Sequence, residues 1–363
     1  MTKYQLLLAI PLFLIFSCKK DNSGDEGNPP DSAALYFPPV SGTEWQTTSA
    51  ASLKWNQPAI DQLYTYLDAK STKAFIVLKD GKIVLEKYFG TFTQSSDWYW
   101  ASAGKTMTAL LTGIAQEEGL LRLSDKTSKY LGTGWTSLTT AEEDLITIRH
   151  QLTMTTGLDD GVADSDCTTP DCLKRKADAG TRWAYHNAPY TLMDKVIEAA
   201  TGKTFQTYFQ QKIRDRIGMK GIWLKSGYNN VYGSDARSMA RFGLLLLNKG
   251  KWGETEILKD QEFFNAQINS SQQLNPSYGY LTWLNGKTKY MLPTLQVVFN
   301  GALAPNAPSD MFCALGKNDQ KIYVVPSQKL VVIRMGESAG NVQLAVSSFD
   351  NELWGKLKPV IGY

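Results

Sequence analysis

Residues 98–107 read WYWASAGKTM, and this stretch decides how the rest of the sequence is interpreted. Ser102 lies at the predicted start of a helix, and Lys105 follows it by three residues. At this spacing the two side chains share one helical face and come within hydrogen-bonding reach. The N–H groups of the first turn and the positive end of the helix dipole stabilise negative charge on the serine oxygen. A lysine buried beneath aromatic side chains loses its proton readily, so it can accept the serine proton.

The serine–x–x–lysine pattern is short, and chance gives about one copy in a chain of this length. A second copy, Ser17-Cys-Lys-Lys20, lies in the N-terminal segment. The alternative interpretation of Ser102 is therefore a helix N-cap followed by an exposed lysine. The aromatic run that precedes Ser102 and the long apolar helix that follows it favour a nucleophile on the floor of a cleft.

A second candidate motif lies at 180–187, which reads GTRWAYHN and precedes a predicted helix. It contains Tyr185 and Asn187 in a tyrosine–x–asparagine pattern. Another copy, Tyr228-Asn-Asn230, lies in a predicted loop and is interpreted as a turn.

These motifs carry a family resemblance when they are taken in order. Ser102-x-x-Lys105, the segment ITIRHQLTMTTGL (146–158) and GTRWAYHN (180–187) resemble the serine β-lactamase and penicillin-binding-protein superfamily. The resemblance is to its class C-related branch, which includes 6-aminohexanoate-dimer hydrolases, and it spans roughly residues 60–355. It implies an α/β (α+β) fold, with an antiparallel sheet flanked by helices, an inserted helical lobe, and the active site between the lobes.

The same resemblance implies roles for four residues. Ser102 is the acylated nucleophile, and Lys105 is its base or the partner that keeps Tyr185 ionised. Tyr185 passes the proton to the leaving group, and Asn187 hydrogen-bonds Lys105 or the substrate amide. The implied activity is that of a serine hydrolase without a cofactor, of the carboxylesterase, amidase, D-aminopeptidase or DD-peptidase type, acting on a small molecule or peptide.

The third motif of the family, Lys-Thr-Gly or His-x-Gly on a strand, is missing. Its place is taken by ALGKNDQ (314–320), which resembles the strand motif of the nylon-oligomer-hydrolase branch. By that alignment the N–H groups of Ser102 and Lys317 form an oxyanion hole. Asp319 stands where glycine is usual, and a carboxylate there is expected to repel acidic substrates, which disfavours β-lactamase activity. The residues expected to line the cleft are Trp100, His186, Trp283, Asn318, Asp319 and Gln320.

A literal G-x-S-x-G, GESAG at 336–340, offers Ser338 as a rival nucleophile. An α/β-hydrolase needs its histidine after the serine in the chain. The sequence contains two histidines, His150 and His186, and both precede Ser338. GESAG is therefore interpreted as the turn at the end of a strand.

Hydrophobic periodicity and turn residues predict the organisation of the chain. The predicted elements are a hairpin at 74–88, helices at 103–118, 187–201 and 234–248, strands at 321–325 and 329–335, and a last helix at about 342–354. Strands from both ends of the chain form a sheet lobe (about 60–125 and 226–363), and a helical lobe (about 126–225) is inserted between them.

The first 18 residues are typical of a bacterial lipoprotein signal. Leu6 to Phe16 is an apolar run of a signal-peptide core, and Ile15-Phe16-Ser17-Cys18 resembles a lipobox. We expect lipidation at Cys18, a flexible tether at 19–50, the hydrolase at 51–363, and a bacterial lipoprotein anchored to the membrane on its periplasmic or cell-surface face. The alternative is a plain secretory signal that is cleaved nearby.

Composition narrows the remaining functional classes. The net charge of +3 and the scattered basic residues do not favour nucleic acid binding, and two histidines without a cysteine cluster leave no zinc site. Cys167 and Cys172 can form a disulfide in an oxidising compartment, and Cys313 is interpreted as a buried thiol. The rival interpretation from another class is a lipoprotein of the same fold that binds peptidoglycan or another ligand without catalysis.

Overall fold

A six-stranded antiparallel sheet forms the centre of the protein in residues 34–363, the part of the chain that the computed structural model describes. The strands are β1 (Thr72–Lys79), β2 (Lys82–Tyr88), β3 (Trp98–Tyr99), β4 (Ile222–Ser226), β5 (Asn229–Ser234), β6 (Lys251–Trp252), β7 (Thr255–Glu256), β8 (Trp283–Leu284), β9 (Lys289–Met291), β10 (Val298–Asn300), β11 (Phe312–Gly316), β12 (Gln320–Val325) and β13 (Leu330–Gly336).

The central sheet has the order β2-β1-β13-β12-β11-β8, and all of its pairings are antiparallel. A second sheet, β3-β5-β4, lies beside the predicted nucleophile, and β9 with β10 and β6 with β7 form two further pairs. Strands from the two ends of the chain meet in the pairing of β1 with β13. The predicted antiparallel α/β (α+β) fold is thereby confirmed.

The helices surround this sheet. They are α1 (Gln57–Ala69), α2 (Lys105–Glu117), α3 (Ser128–Leu131), α4 (Thr140–Glu143), α5 (Ile148–Leu152), α6 (Asn187–Thr191), α7 (Met193–Thr201), α8 (Phe205–Phe209), α9 (Ala236–Leu247), α10 (Gln261–Gln267) and α11 (Ser348–Ile361). A π-helical turn, Gln210–Arg214, follows α8, and shorter 3₁₀ turns lie at Ala101–Gly104, Pro170–Cys172, Lys317–Asp319 and Pro326–Gln328.

The β1–β2 hairpin forms where the Asp-Gly dipeptide predicts it. Asp80 and Gly81 both have positive φ values, 53° and 82°, as a two-residue hairpin turn requires. A Cβ on Gly81 would lie 1.9 Å from the carbonyl oxygen of Tyr36, so glycine is needed here for space as well.

Helices cover both faces of the sheet. Helix α9 packs on the face that carries Val331 and Ile333, and a Cβ on Gly243 would lie 2.5 Å from Val331 Cγ1. Alternation along β12 and β13 turns Tyr323 and Arg334 to the opposite face, where they contact α11. Because both faces are covered, β12 and β13 are buried along their full lengths.

The predicted tether needs correction in its second half. Tyr36 N donates to Asp80 O at 3.0 Å, Trp45 Nε1 to Gly81 O at 2.8 Å, and Thr48 N to Ile83 O at 2.8 Å. Residues 36–48 therefore pack along the hairpin, because its open edge offers backbone partners that a polar composition does not reveal. The predicted signal peptide, Cys18 and the first part of the tether lie outside the described residues.

Three predicted helices differ from the observed ones. The helix predicted at 187–201 is divided into α6 and α7 at Leu192. The helix predicted at 103–118 begins as a 3₁₀ turn before α2. The last helix was placed about six residues too early, because a capping box formed by Ser347 and Asp350 starts α11.

Leu35–Tyr363 form a single compact unit. The stretch from α3 to the π-helical turn is helical, as expected for an inserted lobe, but strand structure resumes at Ile222, slightly before the predicted boundary at 226. Among the described residues, no helix is long and apolar enough to span a bilayer.

Candidate active site

Ser102 lies in a tight turn at the junction of the two sheets. The turn is held from behind by Trp100, whose backbone N–H donates to Tyr232 O at 2.8 Å and whose indole N–H donates to Ser234 Oγ at 2.8 Å. Ala101 has a positive φ of 46°, which is a strained conformation for a residue with a side chain. This turn places Ser102 at the start of the helical segment that continues as α2, with its side chain in a cleft.

Lys105 lies directly beside the serine. Its Nζ atom is 3.0 Å from Ser102 Oγ, and the lysine is 4% exposed. The ammonium position is covered by the rings of Tyr190 and Tyr185, whose centroids lie 4.1 and 5.2 Å from Nζ. No carboxylate of the described residues lies within ion-pairing distance of Nζ. Burial lowers the pKa of Lys105 to about 7, and the charge of Asp166 opposes that shift.

Tyr185 is the third residue that the structure brings to this point. Its ring stacks on Trp283 with centroids 5.6 Å apart, and the ring of Tyr278 meets it edge-on. Its hydroxyl is enclosed without a full hydrogen bond. Burial raises the pKa of Tyr185, and a weak interaction with Ser102 only partly offsets this effect. The free protein therefore favours the neutral phenol, which can donate a proton.

Asn187 is held by a residue that the sequence did not identify. Its Nδ2 donates to Asp166 Oδ1 at 2.8 Å, whereas its enclosed Oδ1 has no hydrogen-bond partner. An ionised carboxylate offers only acceptors, so Asp166 fixes which end of the Asn187 amide faces it. The expected bond from Asn187 to Lys105 is not formed in this state.

The loop that carries Asp166 is closed by the Cys167–Cys172 disulfide. It is also joined to the start of α6 by a bond from Ala188 N to Ser165 O at 3.3 Å. The cysteine pair drew attention to this loop in the sequence. Nothing in the sequence, however, indicates that the residue before Cys167 lines the cleft of a serine 64 positions earlier.

Strand β11 approaches the serine turn so closely that its last residue must be glycine. A Cβ on Gly316 would lie 2.3 Å from Trp100 O and 3.0 Å from Ala103 N. Lys317 follows directly and contributes to the wall of the cleft that holds Ser102, while most of its side chain is exposed. Lys317 therefore lines the same cleft as Ser102, and its part in an oxyanion hole stays a prediction.

The cleft has a volume of about 510 Å³, and polar and apolar atoms contribute about equally to its surface. Three of its lining residues are charged types, namely Lys105, Asp166 and Lys317. The others are Ala101, Ser102, Ser165, Tyr185, Asn187, Tyr190, Ser226, Asn229, Asn230, Val231, Pro293, Thr294, Gln343, Leu344 and Ala345.

The six residues expected to line the cleft do not belong to this wall. Trp100 and Trp283 are buried behind it, where they support the serine turn and Tyr185. His186 is also buried, and burial lowers its pKa to about 4. Asn318 donates to Tyr99 Oη at 2.8 Å, and Gln320 donates to Gly336 O at 2.6 Å.

Asp319 points away from the cleft, which corrects the expected repulsion of acidic substrates. It is 1% exposed, pairs with Lys321 at 3.2 Å, and accepts from Ser347 Oγ at 2.6 Å and from Ala339 N at 2.9 Å. Although burial opposes it, these partners hold the pKa of Asp319 below its usual value. A positive φ of 58° turns the side chain inward at a position where glycine is usual in the resembled motif.

Ser338 lies outside the cleft. Its hydroxyl donates to the carbonyl oxygen of Gly340 at 2.6 Å, within the turn that follows β13. The interpretation of GESAG as a strand-end turn is therefore confirmed. Among residues 34–363, no cluster of three or more His, Cys, Asp or Glu side chains is arranged to hold a metal ion.

Residues 60–351 match the sequence profile of the Beta-lactamase family. The chain belongs to that family. This Beta-lactamase family member is 25% identical over 159 residues to a protein assigned as the penicillin-binding protein PbpX of Bacillus subtilis, and 28% identical over 139 residues to a beta-lactamase of Escherichia coli. These alignments span 40% and 36% of the chain, and 39% and 36% of the two relatives.

Solved structures share the fold over more of the chain. A protein assigned as a 6-aminohexanoate-dimer hydrolase from Bacillus anthracis has a TM-score of 0.66 at 19% identity, with 89% of each chain covered. A penicillin-binding-protein homologue from Caulobacter crescentus has a TM-score of 0.63 at 12% identity, covering 83% of this chain and 96% of that one. Family and fold together support a serine hydrolase of the β-lactamase and penicillin-binding-protein type.

Proposed function

We propose that the protein cleaves an ester or amide bond through an acyl-enzyme on Ser102, with Lys105 as the base. The observation that carries this proposal is the 3.0 Å separation of Lys105 Nζ and Ser102 Oγ in a site that buries the amine. A lysine whose pKa is about 7 is neutral in a large fraction of molecules near neutral pH, so it can take up the serine proton.

The proposed acylation uses four groups of the cleft. Ser102 Oγ attacks the substrate carbonyl carbon while its proton passes to Lys105 Nζ. The N–H groups of Ser102 and Lys317 donate to the oxygen that becomes negative. When the tetrahedral intermediate collapses, Tyr185 gives its hydroxyl proton to the leaving group and regains one from the Lys105 ammonium. The products of this half-reaction are the acyl-serine and the free alcohol or amine.

Deacylation uses the same groups in reverse. A water molecule takes the place of the leaving group and attacks the acyl carbon as its proton passes to Tyr185 and Lys105. The ester bond to Ser102 breaks, the serine oxygen regains a proton, and the carboxylic acid leaves. No step needs a cofactor.

Lys105 was considered either as the base of Ser102 or as the partner that keeps Tyr185 ionised, and the environment of Tyr185 favours the first role. Burial keeps the Tyr185 phenol protonated, whereas burial makes the Lys105 amine easy to deprotonate. The proton therefore moves first to the amine, and the phenol acts as the acid. Asn187, held by Asp166, lies beside this relay and supports a contact to a substrate amide rather than a permanent bond to Lys105.

An activity probe tests the assignment. A fluorophosphonate is expected to label wild-type protein on Ser102, and the Ser102→Ala variant is expected to remain unlabelled. Ser338→Ala is the matched control and should label like wild type. Label on Ser338 would instead make that serine the nucleophile. An unlabelled wild-type protein that turns over no p-nitrophenyl ester or D-aminoacyl amide would leave the fold as a ligand-binding module.

We also propose that the hydrolase is anchored to a membrane through Cys18. The lipobox-like sequence before Cys18 supports a lipid anchor that holds the hydrolase on the periplasmic or cell-surface face of a bacterial membrane. Mass spectrometry of the membrane fraction is expected to find an acylated Cys18 as the first residue. An unmodified, soluble mature chain would contradict the anchor.

A further inference from the structure

Most of the large apolar side chains that are exposed among the described residues lie on chain segments that also line the Ser102 cleft. Between residues 34 and 363, eleven large hydrophobic side chains are exposed. Seven of them lie on three chain segments that also contribute residues to the cleft wall. We call the exposed apolar residues of these segments, 222–231, 292–300 and 338–345, the apolar rim.

The first segment is the β4–β5 hairpin. Alternation along β4 puts Ile222 and Leu224, which are 47% and 54% exposed, on the same face as the cleft residue Ser226. Trp223 points to the other face and is buried. Tyr228, at the tip of the hairpin, is 40% exposed. An apolar surface thus continues outward from the cleft.

The second segment follows the cleft residue Thr294. Leu295, Val297 and Val298 are 41%, 53% and 49% exposed. Gln296 Nε2 donates to Trp183 O at 3.2 Å, which holds this loop against the segment that carries Tyr185. The third segment adds Val342, which is 47% exposed and precedes a cleft residue.

The rim differs in character from the cleft that it surrounds. Segments 292–300 and 338–345 contain no charged residue, and 222–231 contains a single one, Lys225. An anionic membrane surface would need clustered basic residues, which these segments do not supply. Within the cleft, the polar side chains of Lys105, Tyr185 and Asn187 accompany Ser102. The rim is therefore suited to an uncharged alkyl or aryl group that is attached to whatever reacts in the cleft.

From this arrangement we infer that the substrate is amphiphilic, with a polar region around the scissile bond and an apolar acyl chain that extends from the cleft onto the apolar rim. The inference rests on the proposed function and deepens it, because it names the substrate class. A longer acyl chain removes more apolar area from water when it lies on the rim, so the affinity for the transition state rises with chain length.

A chain-length series of p-nitrophenyl esters, kept below the concentrations at which they form micelles, tests the inference. For wild-type protein we expect kcat/KM to rise at least tenfold from the acetyl to the octanoyl ester. The double variant Val297→Ser, Val298→Ser is expected to reduce this ratio to near one. Leu145→Ser is the matched control, because Leu145 is 60% exposed on a part of the surface that does not line the cleft, and its ratio should equal that of wild type.

If kcat/KM of wild type is the same for the acetyl and octanoyl esters, or if the double variant keeps the wild-type ratio, the inference is overturned while the Ser102 mechanism stays intact. If no ester reacts and Ser102 is not labelled, the proposed function fails instead. Binding of an acyl chain by the apolar rim can then still be measured by calorimetry with the Ser102→Ala variant. Octanoyl amides should bind more tightly than acetyl amides, and equal affinities would contradict the inference. A dimer or vesicle binding that the double variant abolishes would reassign the rim to a second copy or to a membrane.

Discussion

The amine of Lys105 and the hydroxyl oxygen of Ser102 lie 3.0 Å apart, one helical turn from each other, beneath two tyrosine rings. The spacing in the sequence creates the proximity, but the burial of the amine creates the chemistry. An exposed lysine at the same distance would remain protonated near neutral pH and could not accept the serine proton.

The pH dependence of catalysis follows from this burial. Because Lys105 must be neutral to act as a base, kcat/KM is expected to increase with pH through a midpoint at about 7, far below the ordinary lysine value. Initial rates with p-nitrophenyl acetate between pH 5 and 9 measure this limb. A midpoint near 10, or a flat profile, would show that Lys105 is not the titrating base.

Asp166 should set the position of that midpoint. Its negative charge raises the pKa of Lys105, so Asp166→Asn is expected to move the ascending limb of the pH profile to lower pH. Asp171→Asn is the matched control, since Asp171 is an exposed carboxylate in the same disulfide loop. No movement, or movement to higher pH, would mean that Asp166 acts on Asn187 alone.

Lys105 should also reduce the stability of the folded protein. Its pKa is lower in the folded than in the unfolded chain, so between about pH 7 and 10.5 the unfolded chain binds more protons and wild-type stability rises with pH. At pH 6 Lys105 is protonated in both the folded and the unfolded chain. Burying its ammonium then lowers the free energy of unfolding by about 1.4 kcal/mol for each pH unit that separates the two pKa values.

The Lys105→Met variant should therefore unfold at a higher temperature than wild type at pH 6. The gain in the free energy of unfolding is on the order of a few kcal/mol and should become smaller at pH 9. Thermal unfolding followed by circular dichroism at both pH values measures it. A variant that is less stable than wild type at pH 6 would contradict the burial of an unpaired amine.

Asp319 is expected to matter for stability rather than for substrate charge. Asp319→Ala removes one of the two carboxylates that pair with the buried Lys321, Asp350 being the other, and leaves Ala339 N–H without its acceptor. It should lower the free energy of unfolding by about 3 kcal/mol. Glu256→Ala, which breaks the exposed pair with Lys251, should change it by about 1 kcal/mol or less. Equal effects of the two variants in urea unfolding would show that the buried network is not stabilising.

Local features were the part of the fold that the sequence predicted well. The Asp80-Gly81 turn, the spacing of Ser102 and Lys105, and the strand-end turn around Ser338 each depend on a few neighbouring residues. Such interactions are settled by backbone geometry over a short range, so a short sequence pattern is enough to identify them.

Contacts between distant segments were missed or misplaced. Asp166 reaches Asn187 because a disulfide and a loop-to-helix bond close its loop, and Asp319 turns inward because Lys321 and Ser347 receive it. The N-terminal segment around Trp45 packs on the hairpin, although its composition suggested a tether.

By itself, the sequence determined which residue types could perform the chemistry, because a serine and a lysine one helical turn apart lie close together in space. Only the tertiary structure decided the environment of those groups. The closure of Tyr185 and Tyr190 over Lys105 removes water from the amine, and the meeting of β11 with the serine turn adds Lys317 to the wall. Solvation and charge depend on everything that surrounds a group in space, whereas a sequence motif specifies only its neighbours along the chain.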